Sequence, residues 1–269
     1  MHHAWLIIAH NEFEILQRLV SALDAPESSF FIHIDKKVKT LPIIHAEQGE
    51  VIFLAERIDV RWGSVSQIKC EFALIEAAAS RGSFDFYHIL SGTTLPLKPK
   101  EELFSLFEEY SGKCLLSGLC KDLPYQETLK VRRYNCFLKN YASTNTVKRT
   151  VSQFLWKSAI ALQRYLGIET NRGAVFYKAS NWLSLSDSAV KYLISKKKQI
   201  FKKYRYSFCG DEYFIPSELM SSPLNETVNN KICYLLHHIE RSNAQTYHLT
   251  DFDTLCNSGY WFARKFSAK

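Results

Sequence analysis

Ala4-Trp5-Leu6-Ile7-Ile8-Ala9 is a short, nearly continuous apolar run. That is how a strand covered on both faces of a parallel sheet reads, because neither side of the pleat meets water. His10-Asn11-Glu12 follows as a cap, and Phe13, Leu16, Leu19, Val20 and Leu23 then recur at helical spacing until Pro26. A second strand, Phe30 to Ile34, ends at Asp35-Lys36-Lys37, and Val51 to Leu54 supplies a third. Strand, helix, strand at this spacing opens an α/β fold with a central, mostly parallel sheet flanked by helices.

Ligands of such sheets lie beyond the carboxyl ends of the strands, where His10, Asn11 and Asp35 fall. Each also has a plainer reading, His10 or Asn11 as a cap and Asp35 as a solvated turn residue. No GxGxxG follows the first strand and no GxxxxGK[ST] occurs anywhere, so the usual phosphate cradles are missing. Val60-Arg61-Trp62-Gly63-Ser64 then leads into a helix through Ile68, Phe72, Ile75 and Ala79. Phe84 to Leu90 reads as another central strand, which leaves the sheet through the polar loop from Ser91 to Lys98.

The acid pair in Cys209-Gly210-Asp211-Glu212-Tyr213-Phe214 stands behind a glycine at an expected helix start. Asp211 fits a helix cap with Glu212 favoured by the dipole, while a carboxylate facing a cleft there fits a general base. Asp251-Phe252-Asp253 is the one literal DxD, and an N-cap suits it better than a metal site. A strand is expected over Ala174 to Lys178, followed by Ser180-Asn181-Trp182 and a helix from Ala189 to Ile194 capped by Ser186. Residues 147–166 alternate basic and apolar groups at helical spacing, as a helix on its own core or one lying on anionic lipid does. The lysine-rich stretch from Lys196 to Arg205 reads as a solvated helix end that also suits a membrane surface.

The chain has 269 residues, 46% of them hydrophobic and 14% aromatic, enough for one large core. Thirty-four Lys and Arg against 27 Asp and Glu give a formal charge of +7, which suits an anionic partner. The bases are dispersed and no RNA- or DNA-binding motif accompanies them, so a nucleic-acid partner is not expected. Seven cysteines without a CxxC pair argue against a disulfide framework and against zinc, and fit a reducing cytoplasm. No apolar run approaches 18 residues and the N-terminus lacks a signal-peptide pattern, so any membrane contact is expected from the surface.

Taken together, IIAHNE (7–12), FIHIDKK (31–37), VRWGS (60–64), YHILSG (87–92) with PLK (96–98), NWLSLS (181–186), GDEYF (210–214) and FARKF (262–266) resemble glycosyltransferase family 14. That family holds the core 2/I-branching β-1,6-N-acetylglucosaminyltransferases, the peptide O-xylosyltransferases and many bacterial relatives of this length. The resemblance implies a single GT-A domain over 1–269, with a nucleotide-binding half (1–118) and an acceptor- and diphosphate-binding half (119–269). It implies inverting transfer from a UDP-sugar, with GlcNAc expected, to a glycan or lipid-linked acceptor without a metal cofactor.

Glu212 matches the family's base, and Lys265, beside Arg264, matches its diphosphate cation. His10, Asp35, Arg61 and Trp62 are expected on the donor side, and Trp182, Asp211 and Arg133, the last within the basic-aromatic stretch Lys130 to Asn135, on the acceptor side. Two positions depart from the pattern. Gln245 stands where relatives carry an arginine, leaving Arg241 or Arg264 as substitutes, and Thr94 stands where an aspartate is common.

Overall fold

The computed structural model describes residues 1–231, 234–236, 239–240 and 243–268. Arg241 lies outside them. The chain runs β1 (His3–Ala9), α1 (Phe13–Ala22), β2 (Ser28–Ile34), β3 (Glu50–Phe53), α2 (Ser66–Ala79), β4 (Phe86–Ser91), β5 (Leu95–Pro96), α3 (Lys100–Glu108), β6 (Cys114–Leu116), α4 (Tyr125–Arg132) and α5 (Thr146–Tyr165). It continues through β7 (Leu183–Leu185), α6 (Asp187–Tyr204), α7 (Phe214–Met220), β8 (Val228–Asn230), β9 (Leu235–Leu236), β10 (Ile239–Glu240), β11 (Asn243–Ala244), α8 (Phe252–Cys256) and β12 (Phe262–Ala263).

Seven strands form the main sheet in the order β3-β2-β1-β4-β7-β6-β8. The β1–β2, β1–β4 and β2–β3 pairs are parallel, while β7 runs antiparallel to both β4 and β6. This is the mixed, mostly parallel α/β sheet expected from the apolar runs. β1 is buried along almost its whole length because both its edges and both its faces are covered. Trp5 stacks on His88 of β4 with ring centroids 4.1 Å apart, and Phe104 and Phe107 of α3 close over them.

Three local expectations change. Ala174 to Lys178 is not a strand and makes only one isolated bridge, Lys178 to Cys120. The Ser217 hydroxyl accepts from Tyr177 N at 2.9 Å and donates to Tyr177 O at 3.1 Å, so a side chain satisfies the backbone groups a strand would have paired. The strand of this region is β7, buried at all three positions. α6 runs on to Tyr204, past Ile194, and its lysines are not merely solvated. Lys197 pairs with Glu76 of α2 at 2.6 Å and Lys203 with Glu218 of α7 at 2.7 Å.

Glu12, third, does not cap α1 through its side chain; its backbone is left-handed, φ 52°. Its carboxylate instead accepts from the Ser267 hydroxyl at 3.0 Å and Ala268 N at 2.9 Å, which pins the last residues to the loop after β1. β12 lies antiparallel to β5 and parallel to β9, and Phe266 N donates to Thr93 O at 3.0 Å. The FARKF segment is thereby sewn onto the loop leaving β4.

Gly63 joins the entrance of α2 to the acid-pair segment. Its carbonyl accepts from Cys209 N at 2.9 Å, its φ is +73°, and a Cβ there would lie 2.3 Å from Phe208 Cε2. Gly63→Ala is expected to lower unfolding stability by roughly 2–4 kcal/mol, from the left-handed backbone and the overlap together. Chemical denaturation of the two proteins measures it.

Candidate active site

Gly210–Glu212 form one turn of 3-10 helix ahead of α7, so Asp211 is not the cap of that helix. The turn aims its two carboxylates in different directions. Asp211 is buried and accepts from Gln67 Nε2 at 3.0 Å, and Gln67 in turn accepts from Gly63 N at 2.7 Å. Burial and the neighbouring Glu212 push the Asp211 carboxyl up to about 7. Glu71 of α2 is wholly buried, with neither carboxyl oxygen hydrogen-bonded, and burial followed by Asp211 pushes it well above the carboxylate range. Two buried carboxyls side by side are held toward their neutral forms, since low dielectric and like charge both oppose ionisation.

Glu212 is different: its side chain is 32% exposed. Lys178 Nζ lies 3.2 Å from Glu212 Oε2 and 2.7 Å from Glu127 Oε2 of α4. Glu127 also receives Lys130 Nζ at 2.8 Å and the Tyr213 hydroxyl. Although burial opposes it, hydrogen bonds from Lys130, Lys178 and Tyr213 hold the Glu127 carboxyl down at about 2. The Tyr213 hydroxyl is pushed far up by burial and by Glu127, so it stays a donor. Glu127 therefore holds Lys178 from the far side, and Lys178 orients the partly open Glu212.

Beside this cluster a groove of about 350 Å³ runs between α4 and α5, walled among others by Glu127, Lys130, Trp156, Ile160 and Phe208. Trp62 stacks on Tyr141 at 5.8 Å and meets Phe208 edge-on at 5.3 Å, which sets it near the groove. Arg61 bonds Asp59 at 2.5 Å and the Lys139 carbonyl at 2.8 Å. Arg133 is buried and committed to Glu169 at 2.9 Å. The member of its stretch that reaches the carboxylate cluster is Lys130, about one turn earlier, through its pair with Glu127.

A second group gathers at the carboxyl ends of β1 and β2. Desolvation lowers the His10 imidazole, opposed by Asp35 and reinforced by Lys265, Lys37 and Arg264, so these charges share one neighbourhood. Asp35 is buried and accepts from Lys37 N at 2.8 Å, Lys37 Nζ at 2.7 Å and Val60 N at 3.2 Å. Lys37 also meets Asp59 at 3.0 Å, and Asp59 meets Arg61, an alternating charge chain between the two groups. The Arg264 guanidinium lies 4.8 Å over the Trp182 ring, and burial lowers Arg264 to about 10, still charged at neutral pH. Asn11 Oδ1 and the Thr94 hydroxyl are buried here without a hydrogen-bond partner.

Among the described residues no three His, Cys, Asp or Glu side chains gather as metal ligands. Asp251 Oδ2 accepts from His248 N at 2.7 Å and so serves its own turn. The motifs thus converge on two neighbouring groups, while Glu127, Lys178, Gln67 and Glu71 were not expected there. Glu71 had a sequence signal, a carboxylate on the apolar face of α2 between Ile68, Phe72 and Ile75. Lys178 and Glu127 had none, being 51 residues apart.

Two outcomes test this geometry. The folded protein keeps the Asp211 proton that the unfolded chain loses near 3.8, so its contribution to stability is lost as pH rises from there through about 7. The melting-temperature advantage of Asp211→Asn over wild type should therefore grow between about pH 5 and about pH 8. Glu127→Gln removes the charge that Lys130, Lys178 and the Tyr213 hydroxyl share and should lower unfolding stability by roughly 1–3 kcal/mol at neutral pH, as chemical denaturation measures.

The sequence matches the family model described as Core-2/I-Branching enzyme over residues 3–260. It is 24% identical to rat Xylosyltransferase 2 over 245 residues, which is 84% of this chain and 25% of that protein. It is 23% identical to Xylosyltransferase oxt of Drosophila pseudoobscura pseudoobscura over 220 residues, 77% of this chain and 23% of that protein. The chain thus spans about a quarter of the length of these curated relatives. Among solved structures, mouse Xyloside xylosyltransferase 1 in its apo form aligns over 97% of this chain and 96% of that chain, at 11% identity and a TM-score of 0.41. With one family model matched from β1 to the segment before β12, the chain belongs to the Core-2/I-branching enzyme family.

Proposed function

We propose that this chain is an inverting glycosyltransferase that moves a sugar from a UDP-sugar to a hydroxyl of a bacterial cell-surface glycan precursor, without a metal, at the cytoplasmic face of the plasma membrane. The observation that carries the reading is the pairing of a partly open carboxylate, Glu212, held by Lys178, with a separate cationic group at the strand ends, Arg264 and Lys265. No helix is long and apolar enough to cross a membrane among the described residues.

In this mechanism Glu212 takes the proton of the acceptor hydroxyl as that oxygen bonds to the anomeric carbon. The bond from that carbon to the UDP oxygen breaks on the opposite face, so one carboxylate suffices and configuration inverts. Negative charge grows on the departing diphosphate, and Lys265 with Arg264 meets it; fixed cations there act more strongly on the leaving group than on the intact donor. Trp182, braced by Arg264, walls the junction between donor and acceptor. Asp35 and His10 line the nucleoside side, and the unpartnered Asn11 and Thr94 oxygens await polar groups of the donor.

GlcNAc is the first donor to try. The relatives are named xylosyltransferases, so UDP-xylose belongs in the same screen. A second reading, a nucleotide- or glycan-binding protein without turnover, is favoured by Thr94 and Gln245 at positions where the family carries charge. It predicts UDP binding with no transfer to any acceptor.

Glu212→Gln should lower kcat by about 10²–10⁴ at saturating donor and acceptor; full retained activity rejects Glu212 as the base. Lys265→Ala should weaken UDP binding in calorimetry and slow transfer by about 10²–10³. Wild-type binding should be indifferent to EDTA. Binding that appears only with manganese reinstates Asp251 and Asp253 as candidate ligands.

A further inference from the structure

α5 is built inside out. Its inward positions are Ser152, Trp156, Ile160 and Gln163, three of which spend polar groups on the fold. The Ser152 hydroxyl donates to the Phe137 carbonyl, Trp156 Nε1 to Asn135 Oδ1 at 2.9 Å, and Gln163 exchanges two bonds with the Tyr134 backbone at 2.8 and 3.0 Å. The apolar residues face outward instead. Val147, Val151, Phe154, Leu162 and Tyr165 fall on one stripe at 100° per residue, with Phe154 67% and Tyr165 87% exposed. Leu155 and Leu166 widen the stripe and are exposed as well, as is Ile168 just past the end of the helix. A stripe along 20 residues of helix, about 30 Å at 1.5 Å per residue, is larger than scattered surface apolar residues.

The charges beside the stripe decide what covers it. Exposed Lys148 flanks it on one side and Lys157 and Arg164 on the other, Arg149 adds an exposed charge at the first turn, and no acidic residue occurs from 143 to 168. The next acid, Glu169, is already paired with Arg133. A second copy docking through this face would set like charges against like. A surface of anionic phospholipid accepts both the stripe and its basic rim.

We propose that α5 is an interfacial helix that seats the protein on an anionic phospholipid surface, with its apolar stripe in the acyl boundary and its lysines and arginines at headgroup level. The flank of the same helix that carries Lys157, Ala161 and Arg164, next to the stripe, walls the groove that Glu127 lines, so seating α5 brings the mouth of that groove to the lipid plane. Delivery of a lipid-linked acceptor to Glu212 along this groove rests on the transferase reading; the docking does not.

The test is co-sedimentation with vesicles of phosphatidylcholine alone and with about 30 mol % phosphatidylglycerol, at low and raised salt. Binding is expected to the anionic vesicles, weaker with salt and absent from the neutral ones. Phe154→Ser with Tyr165→Ser, and separately Lys148→Glu with Arg149→Glu, should each lower the partition coefficient about tenfold or more. Both pairs are exposed, so their thermal melts should match wild type. The proposal is overturned if wild type ignores anionic vesicles or if the Phe154/Tyr165 pair binds as wild type does. It is equally overturned if light scattering shows a dimer that this pair dissociates. The readout is partition, so it stands or falls apart from sugar transfer.

Discussion

β1 is hydrogen-bonded in parallel to β2 on one side and to β4 on the other, and that double pairing sets the geometry of everything else. Parallel neighbours require the chain to return to the same starting edge each time, so the residues that follow β1, β2 and β4 emerge together. His10, Asp35 and the Ser91–Thr94 loop are gathered by this constraint alone. Gly92 marks how close they come, since a Cβ there would lie 2.7 Å from Ala9 Cβ.

The C-terminal segment completes the group from the other end of the chain. β12 pairs with β5, just past that loop, and the Glu12 carboxylate holds the Ser267 hydroxyl and Ala268 N. Arg264 and Lys265 are therefore delivered by backbone pairing rather than by long-range charge attraction, and two cations stand beside His10 despite the cost to its protonated form. Mutual repulsion of this kind favours an anion between them.

The two carboxylates of the acid pair show how one turn separates roles. Asp211 and Glu212 are adjacent in sequence, yet one turns into the low-dielectric space beside Glu71 and the other toward Lys178. The buried one anchors the turn to Gln67 and through it to Gly63, so the VRWGS loop and the acid pair form one rigid unit. The outer one is oriented by an ammonium that Glu127 already holds. Such support from behind keeps a carboxylate in place without enclosing it.

Much of the sheet was legible in the chain because burial on both faces leaves a direct mark, an unbroken apolar run, and β1, β2 and β4 carry it. The same logic located α2, whose period survives a buried Glu71. Ala174 to Lys178 misled for a physical reason: an apolar and aromatic run suits a strand, but the Ser217 hydroxyl takes both backbone groups of Tyr177 within it. The motifs singled out His10, Asp35, Glu212 and Lys265 because short-range patterns are visible in a sequence, and the structure sets His10, Asp35 and Lys265 in one neighbourhood and Glu212 beside Lys178. Only the tertiary structure decided that Glu127 and Lys178 stand behind Glu212, that Arg264 covers Trp182, and that the apolar face of α5 points outward. Those facts depend on pairings between residues tens of positions apart, which leave no periodic trace, and a helix's own pattern does not say which of its faces the protein will cover.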